Sequence, residues 1–538
     1  MFVRKLHMKK TITRFNLFGA IVLSLLVCCK KDLNNSQEKS DDQTSKSKTV
    51  QLQTSFAKIL AKALNSDEDL RSFIRLECLK EFDRDNDILY FLVKDADVGD
   101  GKSFRSKLLN YATEEELQKI ESELPLLTIL VPTIPNFNPM DWNTKTEIPM
   151  LAVSNMDKIG SVSIYNEKEE EIKLNPKQIP GFPVLVIKEN ERVIVKRSDN
   201  KLAVKSNTTK SLSRTSNSYS YEFIDEAYDG SLVDKSLSIR SSISLSKGQN
   251  GKISRLAPGP NLSNPNAIDQ VNVDAYNSGN EWHRDYVYYG ITPSNPNGKF
   301  RNYYSEYITS FKFLTPDALG IISDQDDPKV NNRYATGNPG TLPGTMWTDG
   351  SFEFRISVLI NAKNGSGNEF VRQMSVKPSD LFDLQYELVA NIPFANRKVY
   401  DIRSITPKEY HPNIELLPWD LENYGTAWKF IFYEVDGTQE ETKSYENTTT
   451  FATNFEINSG GEKTKVGFKF GASATTSEKR TYSIKTMLGS DNLAEAILTF
   501  DQPVIIGTSS NNYITREITN GNVLSISVEP RRNNSAIN

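Results

Sequence analysis

From residue 271 to 530 the chain consists of short runs of β-branched and aromatic residues, cut apart by Asn-Gly, Asp-Gly and Pro. The runs are Val287 to Tyr289, Ile308 to Phe313, Phe352 to Ile360, Leu384 to Val389, Val399 to Ile402, Trp428 to Val435 and Val523 to Val528. Runs this short, with turn residues between them, cannot build long helices. They predict a β-sandwich. No period recurs along the chain, which argues against a solenoid or a propeller.

The pattern nearer the N-terminus is different. Phe56, Ile59, Leu60, Ala63 and Leu64 follow a helical period, and Ser66 with Asp69 three residues on predicts a capped second helix. Thr113 with Glu116 predicts another. Leu126 to Val131 then reads as a buried strand that Pro132 ends, followed by strands at Ile148–Val153, Val162–Tyr165, Pro183–Ile187 and Val193–Val195. Residues 201–270 are rich in Ser, Asn, Lys and Thr and read as a low-complexity linker. The fold class expected is therefore α+β. A small α+β module at 51–200 and the linker precede a larger all-β, sandwich-like domain at 271–530, with a tail at 531–538.

The first 28 residues carry Arg4, Lys5, Lys9, Lys10 and Arg14 and no acid, followed by the apolar run Leu17 to Val27. That run is short of the roughly 20 apolar residues a spanning helix needs. A basic segment before a short apolar one reads as a secretory signal peptide. Met8 looks a more typical start than Met1. Leu26, Val27, Cys28 and Cys29 resemble the end of a bacterial lipoprotein signal, which implies a diacylglyceryl group on Cys29, with Cys28 as second choice. The polar stretch 29–50 then reads as a solvated tether. The expected location is the bacterial cell envelope, as an outer-membrane lipoprotein held to the membrane by its acyl chains. Loss of the five leader bases takes the formal charge from −4 to −9. Such a chain has no general attraction for nucleic acid.

Residues 448–488 carry the most specific pattern. Phe451, Phe455 and Ile457, then Val466, Phe468 and Phe470, alternate with Thr, Ser, Gly and Lys around the turn Ser459 to Glu462. A membrane β-strand needs this alternation, since lipid wets one face and water the other. A sheet with one face on a core makes it too. The stretch resembles the amphipathic hairpin of aerolysin-type pore-forming proteins, which implies a pore-forming effector. The chain as a whole is similar to uncharacterised secreted lipoproteins of Bacteroidota-type bacteria. That likeness is carried by Leu124 to Ile129, Ile179 to Val186, Trp347 to Phe354, Leu417 to Leu421 and Phe468 to Ser473. It implies a location and no particular chemistry.

Catalytic side chains are scarce. The chain has three His and three Cys. Cys78 shares a helical stripe with Leu70, Ile74 and Phe82 and reads as a buried structural thiol. No Cys/His set has zinc spacing, and no Gly-x-Ser-x-Gly elbow occurs. Ser244 to Lys247 and Ser490-Asp491-Asn492 match fragments of a penicillin-binding site, but no Lys-Thr-Gly follows them. Asp83, Asp85 and Asp87 have EF-hand spacing, yet Ile88 and Lys94 stand where Gly and Glu are required. Acidic turns at Asp95–Asp100 and Asp324–Asp327 read as solvated. No metal or cofactor is expected. Trp282, His283 and Tyr288 form an aromatic and charged cluster that would suit a sugar or peptide contact. The balance favours a non-enzymatic binding or interaction protein with an unidentified surface ligand. The pore-former and a carboxylate-dependent hydrolase are the alternatives.

Overall fold

The computed structural model describes residues 32–533, except 155–160, 176–177, 198–211, 217–218, 231–244, 248–252, 258–265, 280, 323–343, 364–368, 393–396, 436–439, 454, 458–462, 467–474, 488–491 and 520–522. Two compact units are present, Met1–Gln51 and Leu52–Asn538. Everything that follows concerns the second.

The fold is α+β, with helices and one sheet at the start and antiparallel sheets after it. The helix Asp32–Ser66 ends where Asp67 caps the next one, Glu68–Cys78, by accepting the Leu70 N–H at 3.0 Å. The cap is thus Asp67, one residue beyond the Ser66 expected. Ser66 instead turns its hydroxyl back onto Lys62 O. Thr113 caps Glu114–Glu123 as its spacing predicts, accepting from Glu116 N at 3.1 Å. The first two helices pack against the short helices Tyr90–Val93 and Phe104–Leu108 through edge-to-face rings: Phe56 on Tyr90 at 5.1 Å, Tyr90 on Phe104 at 5.5 Å and Phe73 on Phe104 at 5.8 Å. The sheet runs, in spatial order, Asp87–Leu89, Leu127–Leu130, Val184–Glu189, Met150–Val153, Val162–Tyr165 and Glu171–Leu174. Its central strands are buried on both faces, so they read as continuous apolar runs.

In the C-terminal region two four-stranded sheets meet face to face. One has Phe352–Leu359 and Ala427–Glu434 at its centre, the other Tyr304–Phe313 and Leu524–Arg532. Phe311 joins them, 5.4 Å from Phe354 and 5.9 Å from Phe432 between ring centres. Trp419 and Trp428 stack at 4.7 Å nearby.

The sequence segments 51–200, 201–270 and 271–530 all lie within this one unit. The strand Gln178–Pro180 pairs with Val399–Asp401 of the long strand Arg397–Pro407. Ile253–Ala257, from the segment read as a linker, pairs with Asn512–Arg516. Val287 to Tyr289, expected as a strand, is the end of a helix, His283–Tyr289, closed by Gly290 at φ +69°. Val287, Tyr288 and Tyr289 are all buried. Burial of three consecutive side chains, with polar partners for the two tyrosines, overrides their β preference.

The inter-sheet rings give a direct test. Phe354→Ala should lower unfolding stability by about 3–5 kcal/mol, and Phe354→Leu by clearly less, read as urea midpoints at constant slope.

Candidate functional site

A cleft of about 410 Å³ opens beside the long strand Phe382–Ile392. Phe382, Leu384 and Tyr386 line it from alternate positions of that strand, and Ile179 joins them from Gln178–Pro180, the far strand of the same three-stranded sheet. The opposite wall is Val131 to Pro135, where Pro132 ends the strand Leu127–Leu130. Met346 and Trp347, from the 3₁₀ turn Gly344–Thr348, add a third side. Lys377, Ser379 and Lys408 stand at the Phe382 end. The short helix Pro378–Leu381 has Pro at its first turn, where the missing N–H costs nothing. Lys408 is tied to that helix, its N–H donating to Leu381 O at 2.7 Å and its Nζ to Ser379 O at 2.9 Å.

Behind the cleft lies a buried charge cluster that holds its walls together. Asp83, Asp85 and Asp87 come from the turn and strand that follow Glu68–Cys78. Lys188 comes from the strand Val184–Glu189 and Arg192 from the connection after it. Glu353 comes from Phe352–Leu359. Arg192 is fully buried and bonds to Glu353, to Ser351 O at 2.9 Å and to Asp85 at 3.4 Å. Lys188 Nζ reaches Asp87 at 3.0 Å, Glu191 at 2.6 Å and Asp349 O at 2.8 Å. Asp85 accepts the Ser351 N–H at 2.6 Å and the Asn86 N–H at 2.7 Å. Gly350 sits at φ +91°, and an added Cβ there would meet Asp85 Oδ2 at 2.0 Å. The EF-hand-like aspartates are therefore spent on cations of this chain.

Four buried carboxyls face two buried cations, so not all four can ionise at modest cost. Burial raises Asp83 to about 6 and Glu353 to about 8, in both cases against the pull of Arg192. Burial likewise raises Asp87 well above its usual value, against Lys188. Burial acts the same way on Asp85, but Arg192, Lys188, Lys377 and the Ser351 N–H outweigh it and keep that carboxyl low.

The residues singled out from sequence lie elsewhere. His283 is buried, and its Nδ1 accepts from Val504 N at 3.1 Å and Ile505 N at 3.3 Å, so its ring supports the backbone. Tyr288 is buried and donates to Glu306 at 3.1 Å. Glu306 is also gripped by Arg284 at 2.8 Å. Trp282 is half-buried against Phe500 at 6.0 Å. Cys78 is buried, donates to Arg75 O, and has its thiol pushed up to about 12 by burial. Asp97 accepts from the N–H groups of Gly99 and Gly101 at 2.9 Å, closing its own turn. Cys28, Cys29 and Asp324–Asp327 lie outside the described residues.

The segment at 448–488 is arranged differently from the single alternating hairpin expected. Glu440–Ala452 pairs with Thr475–Met487 over 13 residues each, and the short strands Phe455–Ile457 and Lys463–Val466 pair with one another between them. Thr442, Ser444, Glu446 and Thr448 make one face with Lys479, Thr481 and Ser483, all exposed. Tyr482 and Ile484 on the other face pack on Leu359, Ile431 and Tyr433. That second face also carries Lys443 opposite Ile484 and Thr449 opposite Glu478. Phe451 is buried beneath Arg480, 4.6 Å from its ring. Phe455, Ile457 and Val466 are placed by backbone alone, and Phe468 and Phe470 lie outside the described residues.

Among the described residues no group of three or more His, Cys, Asp or Glu is placed to hold a metal ion, and no helix is long and apolar enough to cross a membrane. Sequence reasoning missed the cleft. Its one local signal was the Phe382-x-Leu384-x-Tyr386 alternation with Lys377 before it. No family model, curated protein or solved structure matches this chain.

The cluster makes a pH prediction. Asp83 and Glu353 keep protons in the folded chain that the unfolded chain releases near pH 4. Their contribution to stability is complete below that value and is lost as pH rises through about 6 and about 8. His411 acts oppositely: burial lowers it to about 4, so its contribution is lost as pH falls below 6.5. The melting temperature should therefore rise as pH is lowered from about 8.5 to about 6.5, and Glu353→Gln should flatten that rise. Arg192→Met, which leaves Asp85 buried as a carboxylate without its guanidinium, should cost about 3–5 kcal/mol at neutral pH by chemical denaturation.

Proposed function

We propose that the chain is a lipid-anchored cell-envelope binding protein that presents the cleft beside Phe382–Tyr386 to a ligand. The observation that carries this reading is the cleft itself: a groove with a mainly apolar lining and a smaller set of polar groups, Lys377, Ser379, Asp383 and Lys408 among them, which is the usual form of a ligand site. The basic leader, the apolar run and Cys29 support attachment to a membrane from the N-terminus, and the polar stretch to about residue 50 would let the body stand clear of it. The mostly-β, sandwich-like C-terminal region, in which the helices His283–Tyr289 and Pro378–Leu381 stand where an all-β domain was expected, offers the kind of support such a site requires.

The pore-forming alternative is less favoured. A lipid-facing strand pair needs an apolar band about 25 Å tall, whereas the paired register of 440–452 with 475–487 sets Lys443, Glu478 and Arg480 on the less exposed face. A hydrolase would need two carboxyls converging on open space. The carboxyls near this cleft are paired instead with Arg192, Lys188 or Lys408.

Two measurements test the reading. Radiolabelled palmitate should enter the protein in its host, and Cys29→Ala should lose the label and move to the aqueous phase on detergent partition. Label retained by Cys29→Ala but lost by Cys28→Ala would shift the anchor by one residue, and an unlabelled wild type would remove it. The soluble chain should also retain at least one ligand from an array of glycans, peptides and lipids, with Leu384→Glu abolishing retention. An array with no hit would overturn the binding role.

A further inference from the structure

The chemistry of the cleft narrows its ligand. Phe382, Leu384 and Tyr386 alternate along one strand face, and three such positions cover about 13 Å. With Ile179, Met346 and Trp347 they make an apolar track that follows the strand. Lys377 and Lys408 both stand at the Phe382 end, because each is bound to the turn that leads into that strand. The site is therefore asymmetric, with ammonium groups at one end and an apolar track leading away.

Neither lysine is locked in a dry pair. Their side chains are 31% and 32% exposed. Lys377 Nζ donates to Glu81 at 3.0 Å and Asn86 at 3.1 Å. Lys408 Nζ lies 3.3 Å from Asp383. Glu81 and Asp383 are well exposed, so water can solvate them when a lysine turns toward a ligand. Ion pairs with one partner open to water, as these are, hold more weakly than buried ones. Asp85, an acid in the cleft lining, is already bound by two backbone N–H groups and Arg192.

We propose that the cleft binds a free fatty acid, its carboxylate held by Lys377 and Lys408 and its chain lying on Phe382, Leu384 and Tyr386. A neutral chain would gain the apolar contact and no head-group contact. A polar solute such as a monosaccharide would leave the track unfilled. The proposal rests on the binding role above and names the ligand class for the same site.

The test uses the chain from residue 29 onward with Cys29→Ala, which keeps the whole unit Leu52–Asn538. The probe is the fluorescent acid dansylaminoundecanoic acid, with its methyl ester as the neutral control. One acid molecule should bind per chain, and the ester at least tenfold more weakly. Lys377→Met with Lys408→Met should weaken the acid at least tenfold and leave the ester unchanged. Lys408→Met alone, at a half-buried site, should give a smaller loss in the same direction if the double variant does not fold. Equal binding of acid and ester, or lysine variants that bind like the wild type, would overturn the proposal. If the acid does not bind but an array ligand does, the binding role stands and the fatty acid falls. If nothing binds, both fall.

Discussion

The grip of Arg192 on Glu353, Asp85 and Ser351 is the constraint on which the rest of the structure depends. Its guanidinium is fully buried and reaches from the N-terminal sheet to a strand more than 150 residues later in the chain. A planar, always charged fork is the one side chain that can satisfy two carboxylates and a carbonyl in such a place. Lys188 repeats the device one turn away, on Asp87 and Asp349 O. A buried ion pair is weak grounds for net stability, since desolvation offsets most of the attraction. What it gives here is register: a displacement of either part would leave several charges buried without partners.

The cleft follows from that register. Asp85 and Gly350, which touch the charge cluster, also line the cleft, and Met346 and Trp347 lie on the turn leading to Gly350. Its floor is shared in the same way, because Gln178–Pro180 from the N-terminal part adds a strand beside Arg397–Pro407, which in turn pairs with Phe382–Ile392. The site is thus assembled from segments near residues 85, 131, 179, 347 and 382 that meet only in the finished fold.

Much of the local architecture was legible in the chain. The strands at Val162–Tyr165 and Phe352–Leu359 follow from β-branched and aromatic runs, and Thr113 caps its helix by a three-residue rule. The misreadings share one cause. Val287 to Tyr289 has β-forming residues, but the helix His283–Tyr289 lets all three bury, with Tyr288 bonded to Glu306 and Tyr289 to Leu421. His283 looked available between aromatics and charges, yet the backbone of Val504 and Ile505 claims its ring. In each case the partner lies far away in sequence, where periodicity carries no information.

The aspartates at 83, 85 and 87 mark the same boundary. Their spacing alone showed that they could not form a calcium loop, because Ile88 and Lys94 occupy the positions that matter. It could not show that they would be buried, since that depends on cations at 188 and 192. By itself the sequence determined the fold class, the positions of the longer apolar strands and of the helices near 56–64, 68–78 and 114–123, and the change from helical to strand periodicity near residue 124, because these depend on neighbours within a few residues. The tertiary structure alone decided which charges are buried, which histidine is spent on backbone, and where the cleft lies. Each of these is a property of side chains brought together across hundreds of residues.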